Sequence, residues 1–186
     1  ELFIGTAQGV VKRVLPDYPA KSEFEMISLR DGDRVVGAAK ADGGLHLVFV
    51  TRQAQVLRFD ANSVRAQGRA AGGVAGINLG SGDEVIFFGV SAESTESLIT
   101  TANSSTALSG TDSGSIKLSL IDEFPTKGRA TGGVRGHKFI RGEDQLYAAA
   151  LVGPNPVASA HDGKPLELPQ PTKRDSSGSA LPALFA

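Results

Sequence analysis

Nine residues, Gly68-Arg69-Ala70-Ala71-Gly72-Gly73-Val74-Ala75-Gly76, recur almost unchanged as Gly128-Arg129-Ala130-Thr131-Gly132-Gly133-Val134-Arg135-Gly136. A repeat this sharp makes the chain an array of like units, each too small to bury its own apolar face and therefore dependent on its neighbours. Each copy is followed by a Gly-acid turn, Gly82-Asp83 and Gly142-Glu143, and a related turn stands earlier at Gly32-Asp33.

Short apolar runs follow these turns: Val35-Val36, Val85-Ile86-Phe87-Phe88, and Leu146-Tyr147 with three alanines. Runs rich in β-branched and aromatic residues, bounded by Gly, Asp and Asn, read as strands. Hairpin tips are expected at Thr6-Ala7-Gln8-Gly9, Thr51-Arg52-Gln53-Ala54 and Thr111-Asp112-Ser113-Gly114, with Ala160-His161-Asp162-Gly163 as a weaker fourth. Glycine at the last position accepts positive φ without steric cost. The flanking strands are Leu2-Phe3-Ile4 with Val10-Val11, Leu47-Val48-Phe49-Val50 with Val56-Leu57, and Ile116-Lys117-Leu118.

The unit therefore reads strand, turn, strand, Gly-rich loop, strand, Gly-acid turn, strand. Four antiparallel strands in roughly 50 residues is a propeller-type blade, so the expected fold class is all-β with about four units. The divisions are a degenerate blade at 1–44, a blade at 45–96, a blade with a loop insertion at 97–153, and a partial blade with a flexible tail at 154–186. In the first unit Leu15-Pro16-Asp17-Tyr18-Pro19 matches Ile121-Asp122-Glu123-Phe124-Pro125, but Ala20 to Met26 replaces the Gly-Arg loop. The Ser97 to Ser105 piece reads as a surface loop and Thr172 to Ser179 as a flexible segment. The extreme end, Leu181-Pro182-Ala183-Leu184-Phe185, is apolar enough to dock back.

Composition limits the chemistry. Twenty-three glycines, one methionine and no tryptophan in 186 residues suit a turn-rich all-β chain. With no cysteine there is no disulfide framework, thiolate zinc site or cysteine nucleophile. No signal sequence opens the chain and no apolar run approaches membrane-spanning length, so a cytoplasmic protein, or a piece of a larger one, without a membrane partner is expected. Asn103-Ser104-Ser105 fits the glycosylation pattern, a motif short enough to arise by chance.

The net charge of −1 hides a sorting by position. From Arg52 to Ala75 four arginines (Arg52, Arg58, Arg65, Arg69) face Asp60 alone, and from Lys127 to Arg141 five bases stand with no acid. Asp83 to Glu96 carries four acids and no base. Stacked repeats align equivalent positions, so these bases are expected to form a basic strip able to neutralise phosphates of any sequence. Aromatics for stacking on unpaired bases are scarce, which favours duplex over single strand.

At this point the residues resemble the C-terminal DNA-wrapping domain of the A subunit of bacterial type IIA topoisomerases, DNA gyrase and topoisomerase IV. The resemblance rests on Gly9-Val10-Val11-Lys12-Arg13 after a hairpin tip, Phe124-Pro125-Thr126-Lys127-Gly128-Arg129, the two Gly-Arg loops and the Gly-acid turns, and it covers roughly residues 1–153. It implies a β-pinwheel whose blades exchange strands and whose basic rim bends duplex DNA. The DNA-contacting residues it implies are Lys12, Arg13, Arg52, Arg58, Arg65, Arg69, Lys127, Arg129, Arg135 and Lys138. Gly68, Gly72, Gly73, Gly76, Gly128, Gly132, Gly133 and Gly136 would shape the loops. The implied partners are double-stranded DNA, the ATPase B subunit of the enzyme, and the remainder of its A subunit, with nucleoid association in the cell. ATP and Mg2+ are implied for the parent enzyme and no cofactor for this stretch. Two departures stand out: family discs carry five or six blades, and the gyrase loop Gln-Arg-Arg-Gly-Gly-Lys-Gly is absent, its nearest counterparts being Ala66 to Gly73 and Thr126 to Gly133.

Catalysis finds no footing. Thr111-Asp112-Ser113-Gly114 resembles a serine-nucleophile segment, but a hairpin turn explains it and His46, His137 and His161 fall in unrelated repeat contexts. None of the three histidines has a metal-ligand partner at a characteristic spacing. Gly72-Gly73-Val74-Ala75-Gly76 lacks the Lys-Ser/Thr and the following helix of a phosphate loop. The alternative from another class is a propeller-like protein-interaction module, which would depend on a few apolar anchors rather than on salt.

Overall fold

The computed structural model describes residues 1–41, 45–92, 94–107, 114–159 and 163–181. In chain order the first strands are β1 (Leu2–Thr6), β2 (Val10–Val14), β3 (Val35–Lys40), β4 (His46–Thr51) and β5 (Gln55–Asp60). After a 3-10 turn at Ala61–Ser63 come β6 (Ala66–Gln67), β7 (Val74–Ala75), β8 (Val85–Ser91), β9 (Ser97–Asn103) and β10 (Ser115–Leu120). A second 3-10 turn at Ile121–Glu123 leads to β11 (Val134–Arg135), β12 (Gln145–Val152), β13 (Ala158–Ser159), β14 (Pro165–Leu166) and β15 (Ser179–Ala180). No helix among the described residues is long and apolar enough to cross a membrane.

Each of the three larger sheets is built from a hairpin, an outer strand of the same unit, and one or two short strands lent from further along the chain. The first sheet runs β3-β1-β2, with β6 parallel and β7 antiparallel on β2. The second is β8-β4-β5-β11 and the third β12-β9-β10-β15. A two-stranded pair, β13-β14, stands beyond them. The Gly-rich loop therefore leaves its own unit and completes the sheet before it: 66–75 serves the first hairpin and 134–135 the second. Strand exchange of this kind makes the neighbouring units inseparable, because the ladder bonds cross every unit boundary.

Burial follows the pleat. In β4, Leu47 and Phe49 point into a core shared with Phe3 and Val11 of the first sheet, whereas Val48 and Val50 point into a core shared with Leu98, Ile121 and Phe124 of the third unit. A strand buried on both faces needs an unbroken apolar run, which is what Leu47 to Val50 supplies. Phe49 anchors the first core, its ring 4.9 Å from that of Phe88 and 6.1 Å from that of Phe59.

The turns behave as their residues require. Gly9 and Gly114 close hairpins with φ of 80° and 61°, and Ala54 occupies the equivalent place at 60°. Gly32, Gly82 and Gly142 take φ of 72°, 71° and 95°. Asp33 and Asp83 then each receive the backbone N–H of a hairpin-tip glutamine, Gln8 and Gln53, at 2.9 Å, tying tip to turn. Positions 111–113 and 160–162 of the two remaining expected tips, and 182–185 of the apolar end, lie outside the described residues. Leu181 does dock: it is buried, and its N–H donates to Gly114 O at 3.0 Å.

Two expectations are corrected. Ser97–Asn103 is not a surface loop but the central strand β9, paired with β10 on one side and β12 on the other. Its serines and threonines hide the alternation, since Leu98, Thr100 and Ala102 are buried on one face and the Thr100 hydroxyl is satisfied by His137. Thr172 to Ser179 is held rather than free, with Thr172 N–H on Leu118 O at 2.8 Å and Lys138 N–H on Ser176 O at 3.0 Å.

Candidate nucleic-acid interface

The basic residues fall into three physical groups, the first of them structural. Lys12 is fully buried, and its Nζ donates to the carbonyls of Met26 (2.8 Å), Arg69 (2.5 Å) and Ala71 (2.6 Å). Burial lowers its pKa, with the Glu25 carboxylate pulling the other way. An ammonium held by three carbonyls has no donor left for a phosphate, so Lys12 is removed from the implied contact set. Arg58 is set apart by burial instead: its side chain is only 11% exposed and reaches Ile121 O and Asp122 Oδ1, each at 3.2 Å, stapling the second sheet to the next unit.

Other arginines are engaged but reachable. Arg13 donates to Val64 O at 3.3 Å and pairs with Glu1. Arg52 donates to Glu84 Oε1 and to Gln145 Oε1, both at 2.9 Å. Hydrogen bonds from Arg34 and Arg52 hold the Glu84 carboxyl below its ordinary pKa. The Arg69 guanidinium lies 5.8 Å from the Phe24 ring centre, Lys127 Nζ donates to Gly132 O at 3.0 Å, and Arg129 donates to Ala75 O.

The remaining candidates face solvent. Arg65, Arg135 and Lys138 are exposed, and no described acid pairs with their side chains. Arg135 and Lys138 line a cleft of about 390 Å³ with Gln53, Gln55, His137 and Phe139, where the second and third units meet. Two cations outside the implied set are also notable. Arg141 is exposed just before the Gly142 turn, and Arg174 donates to Arg135 O at 3.2 Å. Position relative to the turn glycine could have found Arg141; nothing local in the sequence places Arg174 there.

Beneath the cleft His137 is buried between the Thr100 hydroxyl at 2.9 Å and the Ser115 hydroxyl at 3.2 Å. Desolvation, with the Lys117 charge second, lowers its pKa to about 4, so it is neutral and adds nothing to the basic surface near pH 7. Lys117, buried with its Nζ on Gly136 O and Arg174 O, is lowered to about 8 by burial. No group of three His, Asp or Glu side chains converges as a metal site would among the described residues.

The loop glycines also divide. A Cβ at Gly73 (φ +86°) would stand 2.6 Å from Val10 Cγ1 and 2.7 Å from Val11 O, and one at Gly133 would stand 2.7 Å from Val56 N. At Gly76 and Gly136 it would strike Phe49 and Val56 side chains, and at Gly72 it would crowd Ser28 O at 3.1 Å. At Gly68, Gly128 and Gly132 no atom comes nearer than 3.9 Å, so sterics do not demand glycine there. The demanding glycines are those that cross onto the preceding hairpin.

Strand-exchanging, mainly antiparallel sheets of four and five strands, each completed by a neighbouring segment, define a β-pinwheel domain. The chain belongs to the DNA gyrase C-terminal domain family, a beta-propeller family whose model matches residues 26–42, 45–92 and 107–139. It is 35% identical over 154 residues to the DNA gyrase A subunit of Salmonella typhimurium and 34% over 155 residues to that of Escherichia coli K12, covering 81% and 82% of this chain. It is also 34% identical over 142 residues to topoisomerase subunit TopoM of Mycolicibacterium smegmatis. The chain spans only 16–18% of these relatives, and the part matched is a non-catalytic C-terminal domain. Among solved structures, a DNA gyrase A C-terminal domain superposes with a TM-score of 0.78 over all of this chain and 61% of its own, at 20% identity. A topoisomerase IV C-terminal domain gives 0.76 over 96% and 56%, at 21% identity.

Proposed function

We propose that this domain binds duplex DNA through exposed cations of its Gly-rich loops and bends it, serving strand passage and supercoiling control by a type IIA topoisomerase. The observation that carries the reading is that Arg135 and Lys138 share one cleft and, like Arg141, are exposed and without described acidic partners, in a member of the gyrase C-terminal family. Cations left unpaired in a folded protein retain their full attraction for a polyanion, and each phosphate neutralised releases condensed counterions. In this reading Arg65, Lys127 and Arg129 add further phosphate contacts. The ATPase B subunit, the remainder of the A subunit, and the ATP and Mg2+ on which strand passage runs belong to the proposed parent enzyme, which works on the nucleoid in the cytoplasm.

Fluorescence anisotropy of a labelled duplex at increasing salt tests the reading. Affinity should fall by about 0.9 logarithmic units per logarithmic unit of salt for each phosphate contact, whatever the DNA sequence. Arg135→Ala with Lys138→Ala should flatten that slope by about two. Salt-independent binding, or no binding at low salt, refutes it. The exposed Leu15, Tyr18, Phe24 and Leu29 on the first unit favour a second reading, an apolar protein contact, which salt would leave intact.

A further inference from the structure

The three units can be brought into register from their own geometry. Gly32, Gly82 and Gly142 share a left-handed turn conformation, and the bond from Ser28 N–H to Ala71 O (3.4 Å) recurs one unit later from Asn78 N–H to Thr131 O (3.0 Å). Counting back from the turn glycines, residues 22–32, 72–82 and 132–142 are equivalent without a gap. Six positions in this window are exposed in every unit, among them the sets Glu25, Ala75 and Arg135; Ser28, Asn78 and Lys138; Arg30, Gly80 and Ile140; and Asp31, Ser81 and Arg141.

Charge changes sign along this series. The first window carries Glu23, Glu25 and Asp31 against Arg30; the second carries no charged residue; the third carries Arg135, Lys138 and Arg141 and no acid. The clefts beside the loops differ in the same sense. The one at the first Gly-Arg loop, about 500 Å³, is lined by Asp17 and Glu25 with Arg69, whose guanidinium is turned to Phe24. The one where the second and third units meet has Arg135 and Lys138 and no carboxylate. One repeated backbone thus presents phosphates with repulsion at one end and attraction at the other.

We propose that the array is electrostatically graded along its length at these repeat positions: a duplex is gripped at the third unit, passes the uncharged 72–82 window of the second, and is turned away at the first. This rests on the duplex-binding reading and deepens it, because a uniform rim would carry the helix past all three units. Carboxylates facing the backbone add Coulombic repulsion and release no counterions, so the DNA leaves the protein before Glu25 and Asp31. The direction of the gradient also gives the bound duplex one entry side, so the bend it makes has a polarity relative to the chain.

The absence of native cysteine permits a direct test. Ser28→Cys, Asn78→Cys and Lys138→Cys occupy one repeat position, and each can carry an iron–EDTA group that cleaves nearby DNA. The Lys138→Cys protein retains Arg135 and Arg141. On a duplex of about 40 base pairs, a length that leaves room for bending, cleavage should be strong from position 138, weaker from 78 and at background from 28. Glu25→Arg with Asp31→Arg, both at exposed positions, should bring cleavage to position 28 and steepen the salt slope by about two. Equal cleavage from positions 28 and 138 in otherwise unaltered proteins overturns the gradient while leaving DNA binding in place. A duplex that does not bind the unlabelled chain at low salt sinks the binding reading itself, which anisotropy reports separately from cleavage.

Discussion

The Lys12 ammonium donates to the Ala71 carbonyl at 2.6 Å, across the boundary between the first unit's hairpin and the second unit's Gly-rich loop. With Met26 O and Arg69 O it completes a three-carbonyl cage. Removing the charge strands three half-buried acceptors together. Lys12→Met should therefore cost on the order of 2–3 kcal/mol in urea unfolding, while the salt slope of DNA binding stays as it was. Arg135→Ala should do the reverse, leaving stability within about 0.5 kcal/mol and flattening the slope.

Glycine at 73 and glycine at 128 answer to different demands although both belong to the repeated loop. Gly73→Ala forces a Cβ into Val10 and Val11 at positive φ, and should destabilise by roughly 1–3 kcal/mol. Gly128→Ala meets open space and should be neutral or stabilising by about 0.5 kcal/mol. Thermal denaturation of the two variants side by side decides the matter.

Tyr18 and Phe124 occupy matching places in the sequence but opposite places in the fold, 51% and 1% exposed respectively. Phe124→Ala opens the core between the second and third units and should cost about 3–5 kcal/mol. Tyr18→Ala should change the unfolding midpoint little, since its ring meets Phe24 at the surface with 6.3 Å between centroids. Chemical denaturation with matched m-values is the measurement.

Stability should rise with pH in two windows. His137, lowered to about 4 in the folded protein from an ordinary 6.5, is neutral where the unfolded chain takes up a proton. Acidifying from about pH 6.5 towards 4 therefore favours unfolding, with a limiting slope of about 1.4 kcal/mol per pH unit from this one group. Lys117, at about 8 against 10.5, acts with the same sign: the unfolded chain holds the extra proton between those values, so stability rises as pH climbs through that range. His137→Asn should flatten the acidic window and Lys117→Met the alkaline one in denaturant titrations across pH.

The turn glycines, the hairpin strands and the doubly apolar run at Leu47 to Val50 were legible because a turn's φ and a strand's pleat are local properties of a few residues. β9 was not, because Ser97 to Asn103 takes its place by pairing on both sides and by giving the Thr100 hydroxyl to His137, a residue 37 positions away. The basic positions were visible, but not their use: a lysine whose Nζ meets carbonyls from distant loops reads the same in the chain as one that faces water.

By itself the sequence determined that this is an all-β array of repeated units with charge sorted by position, since repetition and turn chemistry are carried by neighbouring residues. Only the tertiary structure decided that each Gly-rich loop completes the preceding sheet, that Lys12 and Arg58 are structural, and that Arg135, Lys138 and Arg141 face solvent. The physical reason is that strand pairing, desolvation and exposure depend on which unit lies against which, and that is settled only when the units meet.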